Sequence, residues 1–153
     1  MEQLGAATGT LTLYDQDTRV VDSTAFSGGP NSPVHSNPIP NGNYTMRLDI
    51  RGVLDSSAGL KPDLTPKPFY GVQDIKNFTE EFDTKFNNTW EWGNVRIALN
   101  SASDDPEARG QYLHGKERPG DYTHGCISER SEKLLNYLHS LPASTGAVPL
   151  QVQ

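Results

Sequence analysis

The strand pattern of the chain starts with Thr10-Leu11-Thr12-Leu13-Tyr14, in which polar and apolar side chains alternate. Alternation of this kind predicts a β-strand with one face buried. Strand character returns in five later segments: 20–26, 44–50, 94–99, 111–115 and 148–152. Because Pro149 has no amide hydrogen to donate, we expect the last segment at the edge of a sheet. The fold is therefore predicted to be mainly β.

Two helices are predicted beside these strands. The first is predicted over 74–86, where apolar residues recur at helical spacing: Ile75, Phe78, Phe82 and Phe86. The second is predicted over about 129–140, from the leucines Leu134, Leu135, Leu138 and Leu141. We interpret the phenylalanine stripe as core packing, with a lid or wall of a peptide groove as the alternative. Ser128 is the expected N-cap of the second helix, and Pro142 is expected to end it.

Composition limits the class of protein. The 153 residues suit one domain, 1–153, and the 14 glycines and 11 prolines predict many turns. We expect loops over 30–43 and 52–73. A net charge of −6 argues against a nucleic-acid binder. No apolar stretch approaches the length of about 18 residues that a membrane span needs.

Cys126 is the single cysteine, so the sequence excludes an internal disulfide. A lone cysteine is ordinarily a small buried apolar residue. Here two histidines are near in sequence, and a thiolate needs a nearby positive group or a helix start to form. Gly125 leaves room for a substrate carbonyl, and the amides of residues 125 and 126 could hold an oxyanion.

Four interpretations compete for Cys126. The first is a buried thiol with two loop histidines. The second is a zinc site formed by His114, His124 and Cys126, for which an acidic loop at 103–107 would supply any fourth ligand. The third is a papain-like peptidase, in which the cysteine precedes its histidine; only His139 follows here. The fourth places the catalytic histidine before the cysteine.

The fourth order carries a family resemblance. Leu113-His114-Gly115, a nine-residue segment from Gly115 to Thr123, and Thr123-His124-Gly125-Cys126-Ile127 together resemble the signature of L,D-transpeptidases of the YkuD type. The segment 37–44 looks like the Pro-x-Gly-x-Tyr approach of this family to a core strand. The segments 92–99 and 148–152, together with the compact loop between His114 and Cys126, are similar to the branch of L,D-transpeptidase-like effectors that type VI secretion systems deliver. The resemblance implies an L,D-transpeptidase-like β-sandwich or barrel, with one or two helices, including one after the cysteine.

The resemblance also implies roles for individual residues. Cys126 is then the nucleophile, His114 its base and the Gly115 carbonyl the third member of the triad, while His124 shapes the loop. Gly125 belongs to the catalytic residues and Thr123 to the substrate-binding residues, and no cofactor or metal is expected. Substrate carboxylates would be held by surface cations, for which Arg109, Lys116 and Arg118 are the candidates. Ser128 stands where many wall-building members have Asn or Arg, and the insert over 52–90 is long enough for a lid.

The implied substrate is a peptidoglycan stem peptide, cut between its third residue and D-Ala. The acyl-enzyme would pass to water (L,D-carboxypeptidase) or to an amine (L,D-transpeptidase or D-amino-acid exchange). The start of the chain lacks a signal-peptide pattern. We therefore expect synthesis in the bacterial cytoplasm and action in a target cell's periplasm, as an antibacterial effector with an immunity protein and secretion machinery as partners. The alternatives are a non-catalytic wall-binding domain and a phage-encoded wall enzyme.

Overall fold

The computed structural model describes residues 7–28, 38–54, 70–75, 93–101, 111–115 and 126–153. Within these ranges the chain is mainly β, which confirms the predicted fold class. The strands are β1 (Ala7–Asp15), β2 (Thr18–Ser27), β3 (Gly42–Leu54), β4 (Gly71–Ile75), β5 (Val95–Ser101), β6 (Gln111–His114), β7 (Ile127–Ser128) and β8 (Ala147–Val152). Helix α1 (Lys133–Ser140) and a short 3-10 turn (Ala143–Thr145) lie between β7 and β8.

The strands form one open mixed sheet in the order β1-β2-β7-β6-β5-β4-β3-β8. The β3–β4 and β6–β7 pairs are parallel, and the other pairs are antiparallel. All six predicted strand segments fall in this sheet. The expectation that the proline-containing last strand lies at an edge is confirmed, since β8 ends the order and Pro149 faces Thr45 of β3.

One face of the sheet packs against α1 to form the core. Alternate residues of β3 point inward, and Leu135 and Leu138 of α1 are fully buried in the same core cluster, where the helix lies against β1, β2 and β5. The predicted end of this helix is confirmed at Ser140, one residue before Leu141 and two before Pro142. The helix after Cys126 is thus anchored by its leucine face, as its spacing predicts.

The predicted start of the helix is wrong. Ser128 belongs to β7, and α1 begins at Lys133 rather than at residue 129. The first helical amides are held by Glu129, whose carboxylate accepts hydrogen bonds from the amides of Leu134 and Leu135 at 2.9 and 2.8 Å. The long side chain of Glu129 therefore caps the helix from a position four residues before it.

The sequence also misassigns the region around residue 74. Gly71–Ile75 is strand β4, paired with β3 on one side and β5 on the other, so neither the loop up to residue 73 nor a helix start at 74 is correct. Pairing with two neighbours overrides the local pattern there. The rest of the predicted helix over 74–86, most of the 52–90 insert and the acidic loop at 103–107 lie outside the described ranges.

The open sheet curls so that its two edge strands come near each other. Residues of β1, β2 and β8 line one cavity of about 220 Å³, together with Ile39, which precedes β3, and Ile127 of β7. Apolar side chains of β1 and β8 also belong to one core cluster. Among the helices in the described part of the chain, none is long and apolar enough to cross a membrane.

Candidate active site

Strands β4 to β7 carry two kinds of residue on their two faces. The pairing aligns Val72, Ile97, Leu113 and Ile127 across the four strands, and all of them belong to the core. The next row consists of Gln73, Arg96, His114 and Ser128. Since successive residues of a strand point to opposite faces, this polar row lies on the other side of the sheet. We call that side the site face.

The site face continues into a second row. Ala98 pairs with Tyr112, and these two residues form a buried cluster with Cys126. Because β6 and β7 run parallel with Leu113 opposite Ile127, Cys126 stands opposite Tyr112. Cys126 is only 7% exposed and His114 only 2%. The sulfur and the imidazole are therefore on the same covered face of the sheet.

The separation of His114 and Cys126 follows from the sheet geometry. With about 4.8 Å between strands and a rise of about 3.3 Å per residue, their Cα atoms are about 8 Å apart on a diagonal. Side chains as long as histidine reach a diagonal neighbour on one face. The sheet thus brings together the two residues that the sequence motif singled out.

His114 is held by backbone groups on both sides. Its Nδ1 is 3.1 Å from the Gly115 carbonyl oxygen, a contact in which a protonated Nδ1 donates. Its own carbonyl accepts a hydrogen bond from the Glu129 amide at 2.8 Å. An Nδ1 proton directed at a carbonyl leaves Nε2 as the basic nitrogen. His114 is therefore fixed in the tautomer that a general base needs.

Cys126 is anchored through its backbone carbonyl. Ser27 Oγ donates a hydrogen bond to that carbonyl at 2.7 Å and accepts one from the Ile39 amide at 2.8 Å. Ser27 is 6% exposed, so both bonds are shielded from water. The serine on β2 thereby fixes the main chain at the start of β7.

Arg96 is the most deeply buried charged residue on the site face, at 1% exposure. Its Nε donates to Gln73 Oε1 at 2.6 Å, and its guanidinium lies 4.2 Å from the centre of the Tyr112 ring. Burial lowers the pKa of Arg96, whereas negative charge on Tyr112 and on Cys126 raises it. A guanidinium remains charged under these conditions, so the site face carries a fixed positive charge.

Glu132 explains why position 115 is a glycine. A Cβ on Gly115 would overlap the carboxylate of Glu132, and a Cβ on Gly93 would meet the same carboxylate oxygen, Oε1. Glu132 itself has a φ of +55°, a left-handed conformation that side chains other than glycine rarely adopt. Its Oε1 is buried and has no hydrogen-bond partner among the residues that the structure describes. The turn after His114 is therefore packed tightly against the start of α1.

Several predicted site residues lie outside the described ranges: Thr123, His124, Gly125, Arg109, Lys116 and Arg118. His139, the base of the papain-like interpretation, does lie within them. Its Nε2 is 2.8 Å from Asp74 Oδ1, and Asp74 shares its face with Val72 in the core. His139 is thus on the opposite side of the sheet from Cys126, and the papain-like interpretation is wrong.

The expected role of the helix start is also corrected. The Glu129 carboxylate accepts hydrogen bonds from the first amides of α1. Its negative charge offsets the positive end of the helix dipole, so this dipole does not favour a thiolate at Cys126. The sequence reasoning missed Arg96, Gln73 and Ser27. One signal was present for Arg96: a charge inside the apolar run Val95-Arg96-Ile97-Ala98-Leu99 must be held by a partner when both faces are buried.

Comparison of the chain with protein-family models, with curated proteins and with solved structures finds no match. Within the residues that the structure describes, no three histidine, cysteine, aspartate or glutamate side chains come together as a metal-binding group. The assignment of a function therefore depends on the sequence motif and on the geometry of the site face.

Proposed function

We propose that the protein is a cysteine acyltransferase that acts on peptidoglycan stem peptides, as an L,D-carboxypeptidase, an L,D-transpeptidase or both. The observation that supports this most is the contact of His114 Nδ1 with the Gly115 carbonyl, on the face that also carries Cys126. An activated nucleophile needs a histidine that is oriented by an acceptor and lies near the thiol, and these two features support the proposal. The motif resemblance supplies the substrate class.

The chemistry has two balanced halves. The thiolate of Cys126 attacks the carbonyl between the diamino acid and D-Ala, and the C–N bond breaks as His114 delivers a proton to the leaving D-Ala amine. The remaining thioester is then attacked by water or by an amine, which gives its proton to His114 while the C–S bond breaks. Proton transfer of this kind contributes about 10²- to 10⁴-fold to the rate.

The finer features of the proposal rest on the same resemblance. They are an L,D-transpeptidase sandwich or barrel and action as an antibacterial effector in the target-cell periplasm, with an immunity protein in the producer. The curl of the sheet, with β1, β2 and β8 around one cavity, is compatible with a closed β architecture. Peptidoglycan stem peptides and an immunity protein are the proposed partners.

Incubation with purified tetrapeptide muropeptides tests the proposed chemistry. We expect the wild type to convert tetrapeptides to tripeptides, or to exchange their D-Ala for an added D-amino acid. Cys126→Ala should be inactive, and intact-mass analysis should detect an acyl adduct only when Cys126 is present. Tetrapeptide profiles that are the same for wild type and Cys126→Ala would reject the enzyme and leave a wall-binding domain, for which binding without turnover is the signature.

The role of His114 has a matched control in the same chain. His114→Ala should lower kcat about 10²- to 10⁴-fold, because the thiol loses its base. His139→Ala removes a histidine from the opposite side of the sheet and should retain kcat near that of the wild type. If both variants lose activity to the same extent, the assignment of His114 as the base is refuted.

A further inference from the structure

A buried guanidinium beside a candidate nucleophile needs an explanation. Arg96 is 1% exposed in a strand whose other residues are apolar as far as Leu99. Taking a charge out of water costs free energy that packing alone does not return. Among the described residues, its neighbours on the site face are the amide of Gln73, the ring of Tyr112, the directly paired His114 and, beyond the Tyr112 ring, Cys126.

Arg96 is held in a defined orientation. The short hydrogen bond from Nε to Gln73 Oε1 fixes the plane of the guanidinium on the β4 side. On the β6 side the same plane lies 4.2 Å from the Tyr112 ring centre, which is the distance of a cation–π contact. Tyr112 in turn packs against Cys126. The guanidinium and Cys126 therefore both lie against the same ring on the site face.

The electrostatic interaction between the two residues is mutual. Negative charge on Cys126 favours the charged form of Arg96, and a positive charge near a thiol in turn favours its thiolate. Within the described part of the chain, the other charged or titratable groups near this face include His114 and Tyr112 on β6, and Arg130, whose guanidinium lies 5.0 Å from the centre of the Phe26 ring beside Ser128. Glu129, which follows β7, directs its carboxylate to the amides of α1.

We propose that Arg96 is a positioning residue that stabilises the thiolate of Cys126, with Gln73 and Tyr112 holding the guanidinium in place. The role of this thiolate in catalysis rests on the proposed function. Histidine provides a positive charge only while it is protonated, whereas arginine provides one throughout the physiological pH range. Arg96 therefore favours the thiolate of the free enzyme whether or not His114 is protonated.

The rate of alkylation of Cys126 by iodoacetamide, followed from pH 5 to 10, measures the thiolate directly because only the thiolate reacts. We expect Arg96→Met to move the midpoint of this profile upward by at least about one pH unit, which is about tenfold slower alkylation below the midpoint. Arg96→Lys should recover at least half of the shift. Arg47→Met, at an exposed arginine on β3, is the matched control and should not move it.

A second pair of variants covers the case in which Arg96→Met does not fold. Gln73→Glu keeps the side-chain shape and places a carboxylate against Arg96 Nε, so it should also raise the midpoint. Gln73→Met removes the same hydrogen bond without adding a charge and should raise it less. An unchanged midpoint in folded Arg96→Met, or in Gln73→Glu where Arg96→Met is unfolded, overturns the proposal.

The alkylation assay is independent of the substrate. A shifted midpoint in a protein that leaves muropeptides intact would support the electrostatic role of Arg96 and reject the proposed enzyme. An unshifted midpoint in a protein that cleaves muropeptides would support the proposed enzyme and reject the electrostatic role of Arg96. The two failures are therefore distinguishable.

Discussion

Removal of the Glu129 carboxylate should destabilise the protein strongly. The side chain is fully buried and accepts two hydrogen bonds, from the amides of Leu134 and Leu135. Hydrogen bonds to a charged group contribute about 1.5–3 kcal/mol each, and loss of an N-cap costs about 0.5–2 kcal/mol. Since both bonds share one carboxylate whose burial is itself unfavourable, we expect Glu129→Ala to lower the free energy of unfolding by about 3 kcal/mol.

The assay is urea unfolding followed by far-UV circular dichroism. With an m-value of about 2 kcal/mol/M, a loss of about 3 kcal/mol lowers the midpoint by about 1.5 M. Glu129→Gln retains one acceptor oxygen and should lose about 2 kcal/mol. Glu132→Gln removes the same charge from the same helix end, but its Oε1 has no hydrogen-bond partner. We therefore expect only the dipole contribution to be lost there, about 0.3–1 kcal/mol. Equal losses in the two glutamine variants would refute the capping role of Glu129.

Two further predictions concern the turn and the serine that hold the site. Gly115→Ala should lower the free energy of unfolding by about 1–3 kcal/mol, because the alanine Cβ overlaps the Glu132 carboxylate. This loss should largely disappear when Glu132 is also replaced by alanine. Additive losses in the double mutant would contradict the prediction. Ser27→Ala should cost about 1–3 kcal/mol, because it leaves the Cys126 carbonyl and the Ile39 amide without this partner. Ser23→Ala, which loses only a contact with the exposed Ser131 hydroxyl, should cost less in the same urea titration.

The strands were predictable because apolar and polar residues alternate along them according to which face is buried. Alternation is clear in β1 and β3, and Pro149 placed the last strand at an edge. Strand β4 was missed because its five residues, Gly71–Ile75, lie between a proline-rich stretch and a helical phenylalanine pattern. Only the pairing with β3 and β5, which no local pattern encodes, makes this segment a strand.

The candidate site was predictable in part. Spacing and resemblance identified His114 and Cys126, because reactive residue types stand out in a short motif. The helix cap was wrong because serine is the usual N-cap, and no sequence rule places a glutamate four residues before the helix as the acceptor. Arg96 was missed as a site residue because its proximity to Cys126 is created by two strand pairings, β5 with β6 and β6 with β7.

The alternation of faces across β4 to β7 has a consequence for folding fidelity. If β6 slipped by one residue against its neighbours, His114 would move into the core and Leu113 would move to the polar side. Such a slip would bury an imidazole among leucines and isoleucines, and it would leave Arg96 beside an apolar residue. A slip of the register is therefore unfavourable on both faces of the sheet. The residues proposed for catalysis thus also help to specify the register of the strands that carry them.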